Sequence, residues 1–382
     1  FEVFNIPTTT EFKTSYPINF DFDKDGNIWF SEIYGKKIGF LNTSNAQPST
    51  SEGIREFSAS VELETLGPIT FDNNGNIWFT ALTYPVSGKI MKFDPKSNDF
   101  ATYNMPTGIS SPVGMVADGD GNLWINDHGT SAFLKFNPIT NSTVTYVTSL
   151  PRSSTSLGLY EKCLTQPGGS QVTCGGLPVS LPYWNIIDKD GKVWFNLHQS
   201  NSIAVFDPKT ETLVEYFIPT QNPNWGSCEG YHGACGIANT LQFTLAPDGK
   251  VWFTEWSESK IGVLDSNLSL PIKLDIVNND VKVSHGGNAK IELKVTANEK
   301  LTSDVDMRIS GTVTPAGRLF NMTAQFSEQK LKFSEPSTQP VTLALVPQDE
   351  LKPGEYRITV SANYNEVTYS KILRLIVEPN KI

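Results

Sequence analysis

Apolar residues in the first 265 positions come in short runs, and Gly, Asn, Asp or Pro breaks each run after a few residues. Runs of this kind predict strands joined by tight turns rather than helices, which would need apolar positions three and four apart over a dozen residues. One phrase returns five times: DKDGNIWFSE from Asp23, DNNGNIWFTA from Asp72, DGDGNLWIND from Asp118, DKDGKVWFNL from Asp188 and PDGKVWFTEW from Pro247. A second strand phrase follows each copy (KKIGFLN, GKIMKFDP, AFLKFNP, NSIAVFDP, SKIGVLD), and a third follows three of them (FATYNMPT, VTYVTSLP, LVEYFIPT). The predicted unit is a small antiparallel sheet, and its recurrence is an internal repeat.

The repeat tryptophans, Trp29, Trp78, Trp124, Trp194 and Trp252, recur at roughly 50 residues, a length suited to four-stranded propeller blades. An indole at one fixed strand position is expected to pack sheet against sheet. The longer interval before Trp194 accommodates an insertion at about 152–181, and a second insertion is read at about 219–240. The N-terminal FEVFNIPT matches the outer-strand phrase VEYFIPT, whereas the fifth copy stops after SKIGVLD. The expectation is therefore a β-propeller of about five blades over 1–265, closed by the N-terminal strand. From about Leu270 the tryptophans cease and strands such as AKIELKVTA, QPVTLALV and GEYRITVSANY alternate cleanly, which predicts a β-sandwich over 266–382. The fold class is all-β, a propeller followed by an immunoglobulin-like sandwich with neither Cys nor Trp in it.

Composition narrows the function. A formal net charge of -10 with no basic patch argues against nucleic acid and anionic membrane surfaces. No apolar run reaches the length of a membrane span. A start at Phe1 rather than methionine fits a chain shortened at its N-terminus, by leader removal or by trimming, and leaves room for an anchor beyond Ile382. Cys163 with Cys174 and Cys228 with Cys235 lie in Gly/Ser/Pro-rich stretches without the C-x-x-C spacing of zinc sites, so disulfides are expected. Sequons at Asn42, Asn141, Asn267 and Asn321 suit a secreted glycoprotein. An extracellular or cell-surface location follows from these readings.

Two places in the repeat invite chemistry. The D-x-D-G-N phrase has the oxygens of a calcium loop, but a helix-loop-helix site needs Gly at its sixth position and Glu at its twelfth; between two strands, Asp-Gly and Asn-Gly read as hairpin turns. Just after each tryptophan, one repeat position holds Glu32, Asp127 and Glu255, and the next holds His128 and His198. The second insertion adds Glu229, Tyr231 and His232. Converging around a channel mouth, Glu32, Asp127 and Glu255 would hold a divalent metal, Mg or Ca, while His128, His198 or His232 served as general base. The competing reading makes them polar strand ends that are solvated or bonded to loops. His285, in a turn-like HGGN, stands outside the set.

The phrase G-x-(I/V)-W-F-(T/S)-E followed by K-I-G resembles the virginiamycin B (streptogramin) lyase type of propeller over about 1–265. The resemblance implies Mg²⁺-assisted elimination that opens a cyclic depsipeptide at its ester, with a histidine as base. The family's propeller has seven blades, and five copies are read here. Its histidine follows Gly-Pro before an inner strand; the matching Gly67-Pro68-Ile69, Ser111-Pro112-Val113 and Leu181-Pro182-Tyr183 carry none, whereas Glu255 fits the T-E phrase. LKPGEYRITVSA resembles immunoglobulin-like modules of bacterial and archaeal surface proteins, which implies a spacer, adhesive or assembly role. The leading expectation is a secreted or cell-surface binding and assembly protein that meets protein or glycan partners at the envelope through its loop-rich face. The alternatives are a metal-dependent carbon-oxygen lyase or a hydrolase at that face, and an accessory subunit of an envelope complex.

Overall fold

The computed structural model describes residues 1–8, 14–59, 63–83, 87–151, 179–220, 238 and 240–379. Its regular elements are strands and one 3-10 turn, Trp256–Glu258. The insertions carrying Cys163, Cys174, Cys228, Cys235 and His232 lie outside the described residues. No described helix is long and apolar enough to cross a membrane.

The repeat copies form successive antiparallel sheets. The first is β1 (Pro17–Phe22), β2 (Ile28–Glu32), β3 (Lys37–Leu41) and β4 (Ile54–Ser58). The second is β5 (Thr65–Phe71), β6 (Ile77–Thr83), β7 (Ser87–Asp94) and β8 (Asp99–Asn104), and the third is β9 (Pro112–Ala117), β10 (Leu123–Asp127), β11 (Ala132–Asn137) and β12 (Ser142–Val147). The fourth holds β13 (Pro182–Ile187), β14 (Val193–Leu197), β15 (Ser202–Asp207) and β16 (Thr212–Phe217), and the fifth only β17 (Phe243–Leu245), β18 (Val251–Glu255) and β19 (Lys260–Leu264). The chain divides into two compact units, residues 1–129 with 134–144 and residues 130–133 with 145–382.

In the first four copies the turn before the repeat strand is built around one carboxylate. Asp118 Oδ1 accepts from the backbone N–H of Asp120 (3.0 Å) and Asn122 (2.8 Å), and Oδ2 accepts from Trp124 Nε1 (3.0 Å). Asp23, Asp72 and Asp188 bond Trp29, Trp78 and Trp194 in the same way, at 3.0, 2.8 and 2.8 Å. Gly26, Gly75, Gly121 and Gly191 sit at φ near +80°, where a side chain would be strained. The phrase is thus a hairpin turn, as its Asp-Gly and Asn-Gly pairs predict. The clamp satisfies the indole N–H and leaves the ring's apolar faces for packing: Trp29 lies against Phe57 and Phe93, and Trp78 against Tyr103 and Phe136. The fifth copy has Ala246 at the carboxylate position, and Trp252 is 44% exposed, whereas the other four are 5% exposed or less.

The N-terminal closure expected from FEVFNIPT is not what the fifth sheet contains. That sheet has three strands, and the N-terminal segment spends its backbone groups elsewhere: Val3 O accepts from Ser49 N (2.6 Å), and Asn5 N donates to Thr50 O (2.8 Å). The Asn5 amide seals the contact by donating to Ser49 O.

Residues from 272 onward form two sheets across one apolar core. One is β20 (Ile272–Ile276), β22 (Ala289–Ala297), β26 (Ser337–Pro347) and β24 (Met322–Phe326). The other holds β21 (Asp280–Ser284), β23 (Val305–Gly311), β25 (Lys330–Leu331), β27 (Gly354–Tyr364) and β28 (Val367–Glu378). Strict alternation in AKIELKVTA sends Ile291, Leu293 and Val295 inward and the lysines out. Unexpected from sequence is the join: β28 pairs antiparallel with β16, from Thr212↔Lys371 to Tyr216↔Val367, so the fourth repeat sheet and one sandwich sheet are a single hydrogen-bonded sheet. Hydroxyls of β27 and β23 also reach the end of β12, Thr359 Oγ1 donating to Val147 O (2.8 Å) and Ser310 Oγ to Thr148 O (2.7 Å).

Two outcomes follow. Asp118→Ala strands a buried indole donor and two backbone donors and should cost about 3 kcal/mol in urea unfolding, whereas Asp248→Ala, which loses only an exposed pair with Lys250, should leave the urea midpoint nearly unchanged. A chain ended after Asp265 bares the edge of β16 and should aggregate under conditions where the full chain scatters no light.

Candidate functional site

The position after each repeat strand, singled out for chemistry, is first a place where backbone is fastened. Its next residue donates a backbone N–H to the carbonyl of the residue preceding a proline: Ile33 to Tyr16 (3.0 Å), His128 to Ser111 (2.8 Å) and His198 to Leu181 (3.1 Å). Asp127 accepts from Ser110 N and Ser111 N, the latter at 2.6 Å, which commits its carboxylate to the start of β9. Glu255 is buried; its Oε1 accepts from Thr220 Oγ1 at 3.2 Å, while its Oε2 meets no donor among the described residues. The ring of His198 lies against that of Tyr183, centroids 4.4 Å apart. Burial pushes the His128 imidazole below its ordinary range, with the Asp127 charge opposing.

Glu32 is the least satisfied of the set. It is fully buried at the end of β2, and no donor in good hydrogen-bond geometry meets either carboxylate oxygen among the described residues, the Ser15 hydroxyl falling short of a full bond. Burial, and then the negative charge of Glu56, push its pKa up to about 7, with Ser15 and Lys37 pulling weakly the other way. Glu56 itself is held below the ordinary range: burial would raise it, but its hydrogen bonds outweigh that. Those bonds come from Lys37 Nζ (2.9 Å) and from the backbone N–H (3.0 Å) and hydroxyl (2.7 Å) of Thr8. Gly35 makes the packing feasible, since a Cβ there would run into Glu32 Oε2. Nothing in the linear sequence marked Glu56, because its partner lies on another strand of the same sheet.

Among the described residues, no three His, Cys, Asp or Glu side chains gather around one point that a metal ion could occupy. The lyase resemblance implies Mg²⁺, and the described donors do not gather for it: Asp127 accepts from two backbone N–H groups, and Glu32 meets a single second carboxylate, Glu56, which is already paired with Lys37. His232 lies outside the described residues. The sequons fall on turns: Asn141, Asn267 and Asn321 are exposed, while Asn42 is half-buried and its Oδ1 accepts from Ser44 N and Asn45 N.

No family model matches the chain, and no curated protein does. Among solved structures it is similar to a streptogramin B lyase (18% identity, 96% of each chain, TM-score 0.47). It is also similar to virginiamycin B lyase from Staphylococcus aureus (15%, 93% of this chain and 94% of that one, TM-score 0.45). An auxiliary nutrient binding protein from Bacteroides thetaiotaomicron is a third (11%, 66% and 56%, TM-score 0.43).

The Glu32 carboxyl has a clear signature. Its proton is retained to about pH 7 in the folded chain but leaves near 4.5 in the unfolded one. The folded state therefore binds more protons between these values, and stability falls as pH rises through that window. Glu32→Gln should flatten this decline and raise the melting temperature at pH 8 more than at pH 5, as read by calorimetry.

Proposed function

We propose that this chain is a secreted or cell-surface binding and assembly protein, a five-bladed propeller carrying a sandwich, and that the uncovered face of its fifth sheet is part of the contact surface. The observation that carries the reading is that face. Trp252 on β18 stands opposite Val263 on β19, and Thr254 opposite Ile261, so these side chains share one side of the sheet. Trp252, Val263 and Ile261 are exposed, as is Trp256 in the adjoining turn. The corresponding indoles Trp29, Trp78 and Trp194 are covered by side chains of the sheet that follows each; after β19 the chain turns instead into the sandwich. A contiguous apolar surface of this kind is a mark of protein association. The partner it suits is a protein presenting apolar side chains.

Binding is favoured over catalysis because Asp127 and Glu255 already serve as local acceptors. The buried Glu32 is the feature that supports an acid-base alternative.

Cross-linking of the full chain on intact cells, with mass-spectrometric mapping, should place partner peptides on Lys260, and Ile261→Lys should abolish those links while leaving the melting temperature within about 1 °C. Turnover of a cyclic ester substrate by the native chain, lost in His128→Ala or His198→Ala, would overturn the reading in favour of a lyase.

A further inference from the structure

The repeat departs from its own pattern at two positions that line one cavity. In the first three copies an Asn follows the turn glycine, and its amide bonds the turn carboxylate: Asn27 to Asp23, Asn76 to Asp72 and Asn122 to Asp118. The fourth copy has Lys192 there, and the fifth has Ala246 in place of the carboxylate. Both border a cleft of about 730 Å³ between the fourth and fifth sheets, at the hairpin end. That volume lies within the roughly 300–1,000 Å³ of small-molecule sites.

One part of the wall is apolar, formed by Trp194, Val205, Val214, Leu245 and Leu270, and the rest is polar. Most polar groups around it are already used. The Asp188 carboxylate accepts from Asp190 N, Lys192 N and Trp194 Nε1. Asp248 pairs with Lys250, the Asn267 amide donates to Asp248 O, and the Ser266 hydroxyl donates to Gly249 O. Lys189 and Asp190 are exposed at the rim. Two half-buried groups remain without a side-chain partner among the described residues, the Lys192 ammonium and the Tyr216 hydroxyl. Both are donors. Burial alone pushes the Tyr216 phenol up to about 12, so it keeps its proton to give.

We propose that this cleft binds a small amphipathic anion, its apolar body against Leu245, Val214 and Trp194 and its carboxylate accepting hydrogen bonds from Lys192 and Tyr216. The ammonium adds charge to one of those bonds, which gives the anion its preference over a neutral or cationic molecule of the same shape.

Dodecanoate, titrated calorimetrically into the full chain below its micelle concentration, tests this against dodecyltrimethylammonium, which has the same tail and the opposite charge. Saturable one-to-one uptake of dodecanoate is expected, with the ammonium analogue at least about tenfold weaker, the worth of one charge-assisted hydrogen bond. Lys192→Asn restores the residue of the first three copies, so it should fold, and should weaken dodecanoate about tenfold; Tyr216→Phe should weaken it severalfold. Ile261→Lys, on the separate face of the fifth sheet, should leave it unchanged. Absent uptake, equal affinity for the two tails, indifference to Lys192→Asn, or loss in Ile261→Lys would each overturn the assignment.

Discussion

The bond between a turn aspartate and an indole N–H six residues later is the constraint from which the repeat architecture follows. A tryptophan buried between sheets brings a large apolar area and one obligatory donor, and an unmet donor there would cost much of what the ring contributes. Asp23, Asp72, Asp118 and Asp188 meet that donor and two backbone N–H groups with a single carboxylate, so one side chain fixes the turn, the strand's register and the indole's orientation. For Asp23 and Asp72, burial raises the carboxyl but the bonds from the indole, amide and backbone prevail, and both groups are held below the ordinary range. Acid strong enough to protonate them would weaken turn and core together.

Much of this was legible in the sequence because the repeat states it several times. Asp-x-Asp-Gly and the Trp at fixed distance identify turn and strand, and the period-two pattern after Leu270 identifies the sandwich. The closing strand was misread for a physical reason: FEVFNIPT has the composition of an outer strand, but composition does not say which edge it pairs with, and Ser49 and Thr50 hold it. The site was less legible still. Glu32 and Asp127 share a repeat position, yet Asp127 reaches two backbone N–H groups whereas the longer Glu32 meets Glu56 and Lys37. Alignment within the chain finds equivalent positions; it does not find which neighbours a side chain reaches.

Departures from the repeat proved more informative than the repeat. Ala246 removes the acceptor an indole would use, and Trp252 is the exposed indole. Lys192 replaces an amide that in the first three copies turns back onto the aspartate, and its ammonium borders the cleft. Both differences were visible in one dimension, but their meaning depends on the fourth and fifth sheets lying side by side.

The pairing of β28 with β16 makes the C-terminal sandwich a mechanical continuation of the fourth sheet. Tension along β28 would load its bonds to β16 and β27 in shear, many rungs sharing the force at once, rather than peeling them singly. A linker between beads would stretch before either bead felt the load. Here a pull on the last strand is delivered directly into the repeat sheets, so unfolding of sandwich and fourth sheet under force is expected as one event.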